Sequence, residues 1–140
     1  MNKFKEKIDC RMINGSDLAY IGDAYYELYI RMYLLSLGIT KPNELHKKTQ
    51  KFVSSISHAK IIDSIIEDFT EAEVDVYHRG RNYNYRHKPK NAKINEYLKS
   101  SGFEAVIGYL YLTNQNERLE EIIKKAIAKV EEENDWKNIW

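Results

Sequence analysis

Residues 16–38 read SDLAYIGDAYYELYIRMYLLSLG, and the spacing within them decides the fold class. Leu18, Ile21, Tyr25, Leu28, Met32 and Leu35 recur at steps of three and four, which predicts one apolar stripe along a helix. Ser16 is placed to cap that helix and Gly38 to end it, so it is expected over about Asp17 to Leu37. The same period returns further along. A second stretch opens near Pro42, favoured in a first turn, and runs through Leu45, Phe52 and Ile56 to Ile66, with a break expected around Ser54–Ser57. Thr70-Glu71-Ala72-Glu73 is a capping-box pattern that opens a third helix through Val74, Val76 and Tyr77, expected to dissolve at Arg79-Gly80. Further helices are expected over about Lys93–Leu112, with Phe103, Val106, Ile107 and Leu110 on one face, and about Glu117–Glu133. Strand-like alternation is absent over any useful length. The expected class is all-α, an irregular helical bundle.

With 140 residues, 43% hydrophobic and 31% charged, the chain has the balance of a soluble domain with a real core. No apolar run reaches the roughly 18 residues a membrane span needs. Nothing at the N-terminus resembles an export signal, so the cytoplasm is the expected compartment. The single cysteine, Cys10, excludes an internal disulfide and a Cys-rich zinc site. Net charge is +1, but His78–Lys93 holds Arg79, Arg81, Arg86, Lys88, Lys90 and Lys93 and no acid. That segment carries +6 and leaves −5 for the rest, a concentration that suits a polyanion as well as a solvated loop.

Two acids stand apart. At 100° per residue from Leu18, the apolar stripe clusters near about 300°, while Asp23 falls near about 140° and Glu27 near about 180°. Asp23 sits between Gly22 and Ala24, and a mid-helix glycine costs about 1 kcal/mol relative to alanine, so close approach of another helix or a ligand is expected there. Glu104 lies among Gly102, Ala105 and Gly108; Ser101-x-x-Glu104 is equally a capping-box pattern, and both readings stand. Two carboxylates from different helices form a minimal oxygen site for Mg²⁺. No competing nucleophile is evident. His46, His58, His78 and His87 show no ligand spacing and read as surface or capping residues.

Leu18-Ala19-Tyr20-Ile21-Gly22-Asp23-Ala24 resembles the signature helix of ribonuclease III catalytic domains. The stretch from Gly102 to Leu112, GFEAVIGYLYL, resembles that family's second acidic helix. With Arg79-Gly80-Arg81-Asn82 and Pro89-Lys90-Asn91 between them in that order, the match is nearest the family's short Mini-ribonuclease III branch. The resemblance implies a single catalytic domain over residues 1–140, without a double-stranded-RNA-binding domain. It implies a Mg²⁺-dependent homodimer that cuts both strands of double-stranded RNA and leaves 5′-phosphate and 3′-hydroxyl ends. The substrate it implies is the stem of precursor 23S ribosomal RNA; ribosomal proteins or the large ribosomal subunit stay open as further partners. Asp23 matches the catalytic aspartate and Glu104 the metal-ligating glutamate, while Arg79, Arg81, Asn82, Arg86, Lys88 and Lys90 fall in the RNA-contacting region. Two further acids of larger relatives are replaced here by Ala19 and Ser101, which leaves fewer fixed ligands. Glu27, Asn91 and Lys93 are candidates for supporting the site. The rival readings are a duplex-RNA-binding module that has lost catalysis, suggested by Ala19 and Ser101, and a helical adaptor with an incidental basic loop. Tyr20, Tyr26, Tyr29, Tyr33, Tyr109 and Tyr111 are candidates for a dimer contact or for packing inside the monomer.

Overall fold

The structure, a computed structural model, describes residues 1–83 and 93–134. Among them there are helices and no strand: α1 (Asn2–Lys7), α2 (Gly15–Ser36), α3 (Pro42–Val53), α4 (Ser55–Ile65), a 3-10 turn (Ile66–Asp68), α5 (Glu71–Tyr83), α6 (Ile94–Leu112) and α7 (Asn116–Glu133). The expected all-α class is the observed one.

Local chemistry sets most of the boundaries. The cap of α2 is Asn14 rather than Ser16. Asn14 Oδ1 accepts from the Asp17 amide at 3.0 Å while the Asp17 carboxylate accepts from the Asn14 amide at 3.4 Å, a reciprocal box that a serine two residues on could not form. Gly38 ends the helix with φ +89°, the left-handed conformation that side chains resist. The break between α3 and α4 falls at Ser54, which is extended and accepts from the Ser57 amide through its hydroxyl. Thr70 and Glu73 form the expected capping box. Glu73 is nearly fully buried and takes two further bonds from the Arg118 guanidinium, at 2.9 and 2.8 Å. Burial alone would raise its pKa, but Arg118 and Thr70 hold the carboxyl below the ordinary glutamate range. This pair locks the start of α5 to the start of α7.

Two expectations fail for tertiary reasons. Helix α5 does not stop at Arg79-Gly80 but continues to Tyr83. A Cβ at Gly80 would stand 2.4 Å from the Ala105 methyl, so this glycine is there for close packing on α6 and not to end a helix. On α2 the apolar stripe read from the sequence is largely the wrong face. Leu28, Met32 and Leu35 are exposed, at 56%, 63% and 53%. Leu18 of that stripe is buried, but its companions in the core are Ala19, Gly22, Tyr26, Ile30 and Leu34, centred roughly 140° further around the helix. The helix is apolar on both sides, and periodicity alone does not say which side meets the core.

Helix α6 lies at the centre and packs on α2, α4, α5 and α7. It is buried around most of its circumference, including Ser100, Ser101, Gly102 and Gly108, as a helix enclosed by neighbours must be. Its closest partner is α2. A Cβ at Gly22 would stand 1.7 Å from the Glu104 carbonyl oxygen, and one at Gly108 2.0 Å from the Leu18 carbonyl oxygen. The two backbones therefore touch without side chains between them. No described helix is long and apolar enough to cross a membrane.

Candidate active site

The α2–α6 contact brings the two singled-out acids together. Asp23 follows Gly22 on α2, and the backbone at Gly22 presses on the backbone at Glu104. The helix approach expected from Gly22 is the arrangement seen. Asp23 has an exposed surface, yet one side lies against α6. Burial of that side pushes its carboxyl above the ordinary aspartate range, and the neighbouring Glu104 carboxylate pushes the same way; His58 opposes and Glu27 adds. Among the described residues, no hydrogen bond or cation partner neutralises Asp23. An acid destabilised by a second acid and left unpaired can accept an external cation.

Glu104 is held differently. Its side chain is 16% exposed, and its Oε1 accepts from the Ser100 hydroxyl at 3.0 Å. The capping-box reading of Ser101 and Glu104 fails, because both residues lie inside α6, several residues past its start at Ile94. Next to Ser100 stands His58, on α4, 1% exposed, with Nδ1 3.1 Å from the Ser100 oxygen and 3.8 Å from Glu104 Oε1. Its ring packs against Tyr26 and Phe103. His58 therefore is neither a surface nor a capping residue. The signal that identifies it is its spacing from Ile61, Ile62 and Ile65, which puts it on the buried face of α4.

Glu27 lies one turn beyond Asp23 and pairs with Arg31 at 2.5 Å, with its side chain about a third exposed. Lys93 is exposed at the N-cap of α6, where its carbonyl accepts from the Tyr97 amide. Arg79 is engaged internally. Its Nη2 donates to the carbonyls of Cys10 (3.1 Å) and Ile13, clasping the loop before α2. Arg81 is half-buried and bonds the side chain of its neighbour Asn82, which is exposed. Arg86, Lys88, Lys90 and Asn91 lie outside the described residues.

Two carboxylates with a common neighbourhood offer hard oxygen donors. No group of three or more His, Cys, Asp or Glu side chains suited to a metal occurs among the described residues. The donor set fits a small hard cation that keeps most of its own water, as Mg²⁺ does, and fits poorly a metal that needs a full protein cage.

Comparison with known proteins shows the family. Residues 16–115 match the model of the ribonuclease III domain. The chain is 48% identical over 126 residues to the Mini-ribonuclease 3 of Streptococcus pneumoniae, covering 89% of this chain and 98% of that one. It is 47% identical over 129 residues to the Mini-ribonuclease 3 of Enterococcus faecalis, covering 91% and 98%. A crystal structure of a Fusobacterium nucleatum protein superposes with a TM-score of 0.75 at 32% identity, covering 84% of this chain and 94% of that one.

Proposed function

Because this chain belongs to the ribonuclease III family, within its Mini-ribonuclease 3 group, we propose that it is an endoribonuclease hydrolysing double-stranded RNA with the help of Mg²⁺. The observation that carries this reading is the backbone contact at Gly22, which brings Asp23 within electrostatic reach of Glu104, with no cation partner for Asp23 among the described residues. A pure RNA-binding module gains nothing from fixed negative charge beside phosphate, and an adaptor does not need Gly22-Asp23-Ala24.

Asp23 and Glu104 are the residues that would hold the ion. When bound, Mg²⁺ supplies Lewis acidity toward water and phosphate. The chain's own part is to fix two oxygen donors at one backbone contact. Asp23 must be deprotonated to hold the ion, and without metal its carboxyl lies above the ordinary aspartate range. Glu27 is proposed to act on the site only through water, since its carboxylate already pairs with Arg31. In the reaction, water adds to phosphorus and the bond to the 3′ oxygen breaks, which leaves 5′-phosphate and 3′-hydroxyl ends. The substrate proposed is the duplex stem of precursor 23S ribosomal RNA, processed in the cytoplasm.

A-form RNA is met through phosphates, 2′-hydroxyls and shape, which suits cations at the end of α5 and in the segment after it. Arg81, Asn82, Arg86, Lys88 and Lys90 are proposed for that contact, with Asn91 and Lys93 supporting its junction to α6. Arg79 is better assigned to the clasp described above. The test is a long RNA duplex incubated with the protein and Mg²⁺, beside an EDTA control. Discrete products with 5′-phosphate ends are expected in the first and none in the second. Removing Arg81, Lys88 and Lys90 together should flatten the dependence of log Kd on log salt by about two to three units of slope. An unchanged slope would remove these residues from the RNA surface.

Two equivalent sites for two antiparallel strands call for a two-fold dimer. The tyrosines do not supply the contact as a group. Tyr26 is fully buried, Tyr29 bonds Glu120, Tyr33 bonds Glu131, and Tyr25 stacks on Tyr111. The surface proposed is the other face of α2, where Tyr20 (80% exposed), Leu28, Met32 and Leu35 form an uncovered apolar row. Charge placed at its middle, as Leu28→Glu with Met32→Glu, should turn a dimer into a monomer by light scattering. A dimer that survives both changes lies elsewhere.

A further inference from the structure

We propose that His58 and Ser100 form a positioning relay that fixes the Glu104 carboxylate for metal binding, an inference that rests on the reading of Glu104 as a metal ligand. His58 sits in an otherwise apolar neighbourhood, 1% exposed, against Tyr26 and Phe103. Its Nε2 is buried with no hydrogen-bond partner among the described residues, a cost that a leucine or phenylalanine there would avoid. What the histidine does have is Nδ1, 3.1 Å from the Ser100 oxygen and 3.8 Å from Glu104 Oε1, and both lead to the site.

Proton accounting gives that contact a direction. Ser100 has one hydroxyl hydrogen, and it goes to Glu104 Oε1 at 3.0 Å, since an ionised carboxylate only accepts. The Ser100 oxygen is then an acceptor toward His58, 3.1 Å away, so Nδ1 carries the hydrogen. This holds for a neutral or a charged imidazole alike, and the relay needs no change of protonation. The chain runs from α4 into α6: His58 Nδ1–H to Ser100 Oγ, and Ser100 Oγ–H to Glu104 Oε1.

The consequence is orientation. A glutamate has three side-chain torsions, and one that is 16% exposed would otherwise lose rotamer entropy on meeting an ion. With Oε1 tied down, the torsions are fixed in advance, and Oε2 meets no partner among the described residues. Partners of this kind commonly govern metal affinity about ten- to a hundredfold, although they do not touch the metal. His58 and Ser100 are positioning residues, which bear on the ion through Glu104 without touching it.

The test measures metal binding in the absence of RNA, using Mn²⁺ as a paramagnetic probe read by water-proton relaxation, together with thermal melting. The chains compared are wild type, Ser100→Ala, His58→Leu, His58→Asn and Glu104→Gln. Asparagine can return an amide N–H near the position of Nδ1; leucine fills the space without one. Mn²⁺ affinity is expected to fall about ten- to a hundredfold in Ser100→Ala and His58→Leu, and to return to within about threefold of wild type in His58→Asn. The melting temperature of His58→Leu should not follow the loss, since an orphaned polar atom has been removed. Should His58→Leu fail to fold, Ser100→Ala still decides the matter.

Unchanged Mn²⁺ affinity in Ser100→Ala and His58→Leu, with binding lost in Glu104→Gln, would overturn the relay and leave the site intact. Affinity that falls in step with melting temperature, with no recovery in His58→Asn, would make His58 a packing residue only. Wild-type affinity in Glu104→Gln would instead remove Glu104 from the ligand set, and the relay with it.

Discussion

Replacing Asp23 by Asn is expected to abolish duplex cutting, by at least roughly a thousandfold, while making the metal-free protein more stable. The first effect follows from losing one of the two carboxylates proposed to hold an ion that supplies several kcal/mol of charge stabilisation, at about tenfold per 1.4 kcal/mol. The second follows from the sign of the pKa shift. Burial and Glu104 raise Asp23 above its ordinary value of 3.8. Between that value and the raised one, the folded state keeps a proton that the unfolded state has lost, so stability falls as pH rises through the window. At neutral pH the full cost is present, and Asn removes it. The melting temperature of Asp23→Asn should therefore exceed wild type at pH 7 without metal, and the gap should close as pH falls below about 4. Saturating Mg²⁺ should narrow or reverse the gap, because only wild type gains from binding it. RNA binding should survive the change. Equal melting temperatures across pH would mean that Asp23 is not strained by its surroundings.

Gly22→Ala should be among the most damaging single methyl groups that can be added to this chain. The new Cβ would lie 1.7 Å from the Glu104 carbonyl oxygen and 2.7 Å from the Gly108 nitrogen, both of them backbone atoms in a helix that cannot yield locally. Helices α2 and α6 must separate. The cost is expected to be about 3 kcal/mol, at the upper end of what overpacking does, and urea denaturation measures it directly. Gly38→Ala is the natural contrast. That residue has φ +89° but open space around it, so only backbone strain of about 1 kcal/mol is at stake. Whatever Gly22→Ala protein folds should also cut poorly, because the two carboxylates move apart with their helices. A loss below about 1 kcal/mol would show that the contact relaxes easily.

Different features of this molecule are readable from the sequence to different degrees, for identifiable reasons. The Thr70/Glu73 box, the stop at Gly38 and the break at Ser54 are local, made by residues a few positions apart, and each is legible. The meeting of Asp23 and Glu104 is legible through Gly22, whose presence in mid-helix needs a neighbour's backbone to explain it. The buried face of α2 is not, because Leu28, Met32 and Leu35 are as apolar as the residues that pack inside, and only the identity of the neighbours separates the two faces. The length of α5 escapes a local reading because Gly80 serves α6 rather than its own helix. His58 escapes it too, because histidine is usually a surface residue, and its partners, Ser100 and Glu104, lie more than forty positions away.

The clasp made by Arg79 bears on the order in which the chain assembles. It joins Cys10 and Ile13 to a residue 69 and 66 positions later, so its bonds form only after a long loop has closed. The short segment ahead of α2 is held both by this clasp and by the burial of Cys10 in the core. Local opening of this segment therefore has to release its bonds to α5. The chain's sole thiol lies in that segment, buried and with its pKa pushed up by burial. Alkylation of Cys10 is thus a clock for local opening at this end of the molecule, running in the native protein without any added label.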